Sequence, residues 1–271
     1  MWVLRGLRNG VVTTRWPAEP DDDAQRQRGP AQVLDRSPAG ARDLPGLCPS
    51  SAISYSPPDG VRLDQGRCVL CGRCVARRPD TFGWSAGPAS ATLSRGGLVV
   101  PAIPETSGNL AEIRCSLRQR ARAFGRSVHI RHVDAGSDGS EEWEVLALLN
   151  PVYDVHRLGI FFTASPRHAD VLLVTGAGCS GMAAPLRRTY EAMPDPKIVI
   201  AAGTDAVSGG LVSPSYATRG GIGALVPVDV WVPGSPPSPF SLLYALLLAL
   251  GRLRGTTAEA AGSPRDDEVA Q

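Results

Sequence analysis

Six cysteines stand in this chain, at positions 48, 68, 71, 74, 115 and 179, and the first four crowd into one short stretch. Three of those lie in GRCVLCGRCVARRPD, residues 66–80, each separated from the next by two residues. Two intervening residues let thiolates converge on one small inorganic core while the amides between them turn back toward the sulfurs. Gly72 helps the chain wrap closely, because it has no Cβ and tolerates a left-handed backbone. No signal sequence or spanning segment is evident, so a reducing, cytoplasmic setting is expected, where such crowding points to metal rather than disulfides. An iron–sulfur cluster is the leading reading. A four-cysteine zinc site remains open, as do reduced thiols without metal.

The next question is what completes the triplet. In bacterial ferredoxins the run is C-x2-C-x2-C-x3-C-P, and its fourth cysteine ligates the other cluster. Arg78 stands at that fourth position. Upstream, LCPSSAI carries a lone Cys-Pro at Cys48, and the same spacing counted backward reaches Leu44, Ala41 and Pro38. One repeat keeps only its fourth cysteine and the other only its first three. Residues 28–85 therefore resemble a bacterial-type two-cluster ferredoxin domain that has lost one cluster. The resemblance implies one [4Fe–4S] cluster on Cys48, Cys68, Cys71 and Cys74, with the second set, at Pro38, Ala41, Leu44 and Arg78, lost in full. It also implies two short hairpins, and two short helices starting near the Cys-Pro and the triplet. AISY and GVRL, strand-like runs flanking the turn-forming PPDG, agree with it. RNGVVTTRWP, 8–17, is similar to the entry segment of ferredoxin-like subunits of complex I and membrane-bound hydrogenases.

The elements downstream follow a different rhythm. Residues 86–104 are rich in Gly, Ser, Ala and Pro and read as a linker with one strand at GLVVP. SGNLAEIRCSLRQRARAFG, 107–125, has apolar residues at helical spacing and arginines elsewhere, with Cys115 as a structural helix residue. From 127, SVHIRHVD, ADVLLVTG, KIVIAAGT and VDVWVPGS read as strands alternating with helices. Near-continuous apolar strands predict a mostly parallel sheet covered on both faces. Ligands on such sheets bind beyond the carboxyl ends of the strands. The glycine-rich turns there match neither dinucleotide nor P-loop fingerprints, so no nucleotide is expected. His156 and His168 are isolated and read as packing or surface residues.

NPVYDVHRLGIFFTASPRHADVLLVTG, MAAPLRRTYEAMPDPKIVIAAG and VPVDVWVPGSPPSPFSLLYALL carry a closer likeness. Residues 127–252 resemble the B-type small subunit of NADH-quinone oxidoreductase and, equally, the small subunit of formate-hydrogenlyase-type [NiFe] hydrogenases. The resemblance implies a flavodoxin-like α/β fold with helices on both faces, which in that family holds a terminal [4Fe–4S] cluster at a site formed with a large subunit. It places the four cluster cysteines at Asp138, Glu141, Asp205 and Ser235, none of which is cysteine. Carboxylates suit hard cations rather than iron–sulfur. The pocket is expected to be collapsed or lined by hydrogen bonds, and Cys179, alone in its turn, cannot restore it.

The implied function is an electron-transfer subunit of a complex-I-like or membrane-bound hydrogenase-like oxidoreductase, not catalytic alone, with quinone, hydrogen or formate undetermined. The alternative is a scaffold that docks the large subunit, and a free ferredoxin is weaker still. Partners would be the large and membrane subunits, holding the chain at the cytoplasmic face of the membrane. A net charge of +2 over 271 residues gives no case for nucleic acid. FSLLYALLLALG, 240–251, is too short to span a bilayer. Residues 1–27 read as a partner- or membrane-facing segment, 86–126 as the linker and basic helix, and 253–271 as a disordered tail.

Overall fold

The computed structural model describes residues 2–101 and 107–253. The chain begins with α1 (Trp2–Asn9) and α2 (Asp22–Arg26), the latter started by Asp21, whose carboxylate accepts from the Asp23 and Ala24 amides. Five short strands follow: β1 (Arg28–Val33), β2 (Ile53–Ser56), β3 (Gly60–Asp64), β4 (Phe82–Ala86) and β5 (Val99–Val100). β1 pairs antiparallel with β4, and β2, β3 and β5 form a second antiparallel sheet. The one-turn helix α3 (Arg73–Arg77) lies between them in sequence. Ile53, Val61, Leu63, Leu44 and Phe82 fill a small core between the sheets, and two of the cysteines are buried in it.

Helix α4 (Ser107–Ala123) leads into five parallel strands: β6 (Val128–Asp134), β7 (Ile160–Phe162), β8 (Val171–Thr175), β9 (Ile198–Ala202) and β10 (Val230–Val232). Their spatial order, β10-β9-β8-β6-β7, puts the reversal of strand order between β6 and β8. The remaining helices are α5 (Ser140–Ala147), α6 (Ala183–Ala192), α7 (Thr204–Ser208) and α8 (Pro239–Ala249). Alternate strand residues feed two cores. Ile130, Leu173, Ile198, Ile200 and Val230 pack with α4, α5 and α8, while Val133, Leu172, Val174 and Val199 pack with α6 and α7. Every residue of β8 and β9 is buried, which is why those strands read as unbroken apolar runs.

Four local expectations change. β7 is an addition, because three residues at a sheet edge after a tight turn show no period. The helix expected to start near the Cys-Pro is instead a 3-10 turn, Ala41–Leu47, that ends on Cys48. Residues 86–101 are not a loose linker. Ala91, Leu93 and Leu98 are buried, the Thr92 and Trp231 backbones bond each other in both directions, and Arg95 grips Asp64 through two hydrogen bonds. Gly- and Pro-rich chain can be well packed when its backbone groups find partners. Part of the segment expected to face a partner or membrane is also packed inward. Trp16 stands edge-on to Phe240 at 6.0 Å between centroids, and the Thr14 amide donates to the Val152 carbonyl. Leu4, Leu7, Val11 and Val12 remain exposed. Among the described residues no helix is long and apolar enough to cross a membrane. The expectation for the tail beyond Leu253 lies outside the described residues.

Candidate metal centre and the turns beside it

Cys48, Cys68, Cys71 and Cys74 line one tightly closed cleft, walled by Leu47, Ile53, Leu63 and Trp84. The local chain explains the convergence. Cys48 ends its 3-10 turn in extended backbone, and Ser51 then turns left-handed, which brings the Ala52 amide to 3.2 Å from Cys48 Sγ. Asp64 accepts from the Gly66 amide at 2.9 Å and ties the next turn to Arg95. Cys68 leaves that turn, and Leu70 and Gly72 both take positive φ so that the chain doubles back into α3. At Gly72, φ is 72°, and a Cβ would stand 3.2 Å from the Trp84 ring, so glycine serves both needs.

The electrostatics of the cleft match its shape. Burial pushes the Cys68 thiol up to about 11, and the neighbouring Cys74 and Cys48 add to the rise, while the Leu70 and Ala31 amides bond its sulfur and oppose it. Cys74 is raised by burial as well, with Cys48 and Cys71 contributing and the Val75 amide opposing. Cys68 and Cys74 thus lie in the field of their cysteine neighbours, and the Ala52 amide donates to Cys48 Sγ. A cationic metal centre is what would relieve that repulsion, releasing protons as it binds. Soft thiolates fit iron–sulfur or zinc and not hard cations. Among the described residues no three Cys, His, Asp or Glu side chains form a group that could hold a metal ion.

Three of the positions expected to have lost a second ligand set are occupied by packing and pairing. Ala41 and Leu44 are buried in the small core, and Arg78 caps α3, pairs with Asp80 at 2.8 Å and reaches the Ala39 carbonyl at 3.3 Å. Arg78 thereby ties the end of α3 to the backbone at Ala39.

At the carboxyl end of the parallel sheet, the turns after β6 and β9 bring Asp138, Glu141 and Asp205 into mutual range. Glu141, at 1 % exposure, is pushed up to about 7 by burial, with the Asp205 and Asp138 charges adding. Asp205 is raised by burial and by Asp138 and Glu142. Asp138 is held low by the Ser140 hydroxyl and amide. The turn at Gly203 makes room, since φ there is 98° and a Cβ would meet Glu141 Oε1 at 2.5 Å. Glu142, beside these, accepts from Thr175 and from Ser137 (2.6 Å), and His132 is lowered by burial. Cys179 rests against Gly136, and exposed Cys115 lies on α4 away from the cleft.

A residue not singled out in the sequence joins the two regions. Thr204, fully buried, donates its hydroxyl to the Cys68 carbonyl at 3.0 Å and accepts from the Gly234 amide at 3.4 Å. Its own amide donates to the Gly234 carbonyl at 2.6 Å. Thr204 and Gly234 immediately precede Asp205 and Ser235, so the cysteine loop is bonded to the turns that carry two of the replaced positions. Only the GTD triplet after an apolar strand hinted at a turn there, and nothing local marked its distant partner.

Residues 139–249 match the family described as NADH ubiquinone oxidoreductase, 20 Kd subunit. The chain is 41% identical over 157 residues to formate hydrogenlyase subunit 7 of Escherichia coli, covering 58% of this chain and 60% of that protein. Against the probable membrane-bound hydrogenase subunit mbhJ of Pyrococcus furiosus the identity is 41% over 137 residues, 51% of this chain and 82% of that protein. Among solved structures, the membrane-bound sulfane sulfur reductase, an archaeal respiratory membrane complex, includes a chain that is 30% identical. The match covers 49% of this chain and 71% of that one, with a TM-score of 0.41.

Proposed function

The chain belongs to the NADH ubiquinone oxidoreductase 20 Kd subunit family, and from that premise we propose that it is an electron-transfer subunit of a complex-I-like or hydrogenase-like assembly. Its cofactor is one [4Fe–4S] cluster on Cys48, Cys68, Cys71 and Cys74. The observation that carries this reading is the convergence of four thiols on a single apolar cleft with amides directed at their sulfurs. Such a cluster supplies one-electron storage and transfer, at a potential set by burial and by hydrogen bonds to sulfur. The protein's part is to hold the thiols, exclude water with Leu47, Ile53, Leu63 and Trp84, and present the loop beside the sheet.

The strand order, 2-1-3-4-5 counted along this sheet, supports a flavodoxin-like reading of the second domain. The named relatives are subunits of formate hydrogenlyase and of a probable membrane-bound hydrogenase, so large and membrane subunits are the partners proposed, with peripheral attachment through them. Asp138, Glu141, Asp205 and Ser235 favour a second reading, a docking scaffold whose cluster is structural, because carboxylates cannot pass electrons onward. Purifying the assembly with its large subunit and following anaerobic bleaching of the visible absorption by its reductant separates the two. Reduction in the assembly, and loss of its turnover when all four cysteines become serine, is the relay result. Full turnover with the serine variant would leave the scaffold.

A further inference from the structure

The bond from Thr204 to the Cys68 carbonyl spans both regions and belongs to neither ligand set. Its oxygen is saturated, donating to Cys68 and accepting from Gly234, and its backbone is held as well, with Ser208 Oγ donating to its carbonyl at 3.0 Å. A peptide's N–H points opposite to its C=O. Drawing the Cys68 carbonyl toward the sheet therefore turns the Val69 amide away from it, and Val69 lines the cleft. Around this bond the packing is close: a Cβ on Gly66 would stand 2.6 Å from Val207 of α7.

We propose that Thr204 is a positioning residue for the cysteine site, fixing the Cys68–Val69 peptide so that Cys68 and Val69 keep their place in the wall of the cleft. The inference rests on the metal-centre reading for its consequence, a tuned potential, but its geometric core concerns the protein alone. The sheet-end turns, though stripped of thiolates, act on the remaining centre through this hydroxyl.

The test uses the full chain with Thr204→Val, which keeps shape and removes the hydroxyl, and Thr204→Ser, which restores it. In the metal-free protein, alkylation of buried Cys68, read by mass spectrometry, is expected to speed up about tenfold in Thr204→Val and to stay at the wild-type rate in Thr204→Ser. In reconstituted protein, Thr204→Val should keep the wild-type iron count while its midpoint potential and electron paramagnetic resonance g-values shift, with Thr204→Ser unshifted. Thr204→Ala provides a second hydroxyl-free variant. Wild-type alkylation rates in Thr204→Val overturn the inference whether or not the chain binds iron. Failure of both hydroxyl-free variants to fold also overturns it, showing a purely structural role. Absence of iron from the wild type instead overturns the metal-centre reading while the alkylation result still decides this one.

Discussion

Cys68 and Glu141 are both buried and both have their ionised forms disfavoured by burial and by like neighbours; Cys68 is bonded by Thr204, and Glu141 packs against the adjoining Gly203. They resolve the same stress in opposite ways. The thiol is soft, has amides aimed at it and three companions on one cleft, so a cationic cluster can replace its proton. Glu141 and Asp205 are hard donors whose carboxyls are both raised by burial and by neighbouring carboxylates, so protonation relieves the stress there. One framework thus supports two outcomes, and the side chains at the turns decide which.

The largest effect expected is on cluster content. Cys68→Ser should remove the cluster altogether, seen as loss of iron and of the visible absorption. The reverse change tests the other region: Asp138→Cys, Glu141→Cys, Asp205→Cys and Ser235→Cys together should raise iron from about four toward about eight per chain. If that variant folds and gains no iron, the sheet-end framework has diverged beyond its side chains.

The next effect is on stability. Glu141 ionises near 4.5 when unfolded and near 7 in the fold, so the native state holds the extra proton across that interval. The stabilising contribution is full below 4.5 and is lost as the pH rises through 7. Glu141→Gln should therefore match wild type in denaturant melts at pH 4 and exceed it at pH 8 by about 3 kcal/mol. Equal stability at both pH values would mean that Glu141 is solvated as an ordinary carboxylate. Smaller again, Arg95→Ala removes a half-buried two-point pair with Asp64 and should cost about 1–3 kcal/mol, loosening the turn before Cys68. Cys115→Ser and Cys179→Ser should leave iron content unchanged.

That Cys48 lines the same cleft as the distant triplet was expected only through the resemblance, and the parallel sheet was legible because β9, and β8 up to Thr175, are apolar. The packed course of residues 86–101 was not, since Leu93 stands alone among small and polar residues, and its burial depends on partners far along the chain. Thr204 was hidden for the same reason. A threonine after a strand looks like a turn residue, and only the fold brings the Cys68 carbonyl to it. The two-way bonding of Thr92 with Trp231 is equally long-range.

The central claim is that one polynuclear cluster sits in the cysteine cleft and none at the sheet end. Iron and acid-labile sulfide counted on the anaerobically purified chain test it most directly. The account predicts about four of each per chain, falling to none with Cys68→Ser. Stoichiometric zinc without sulfide, or about eight irons in the wild type, would contradict it.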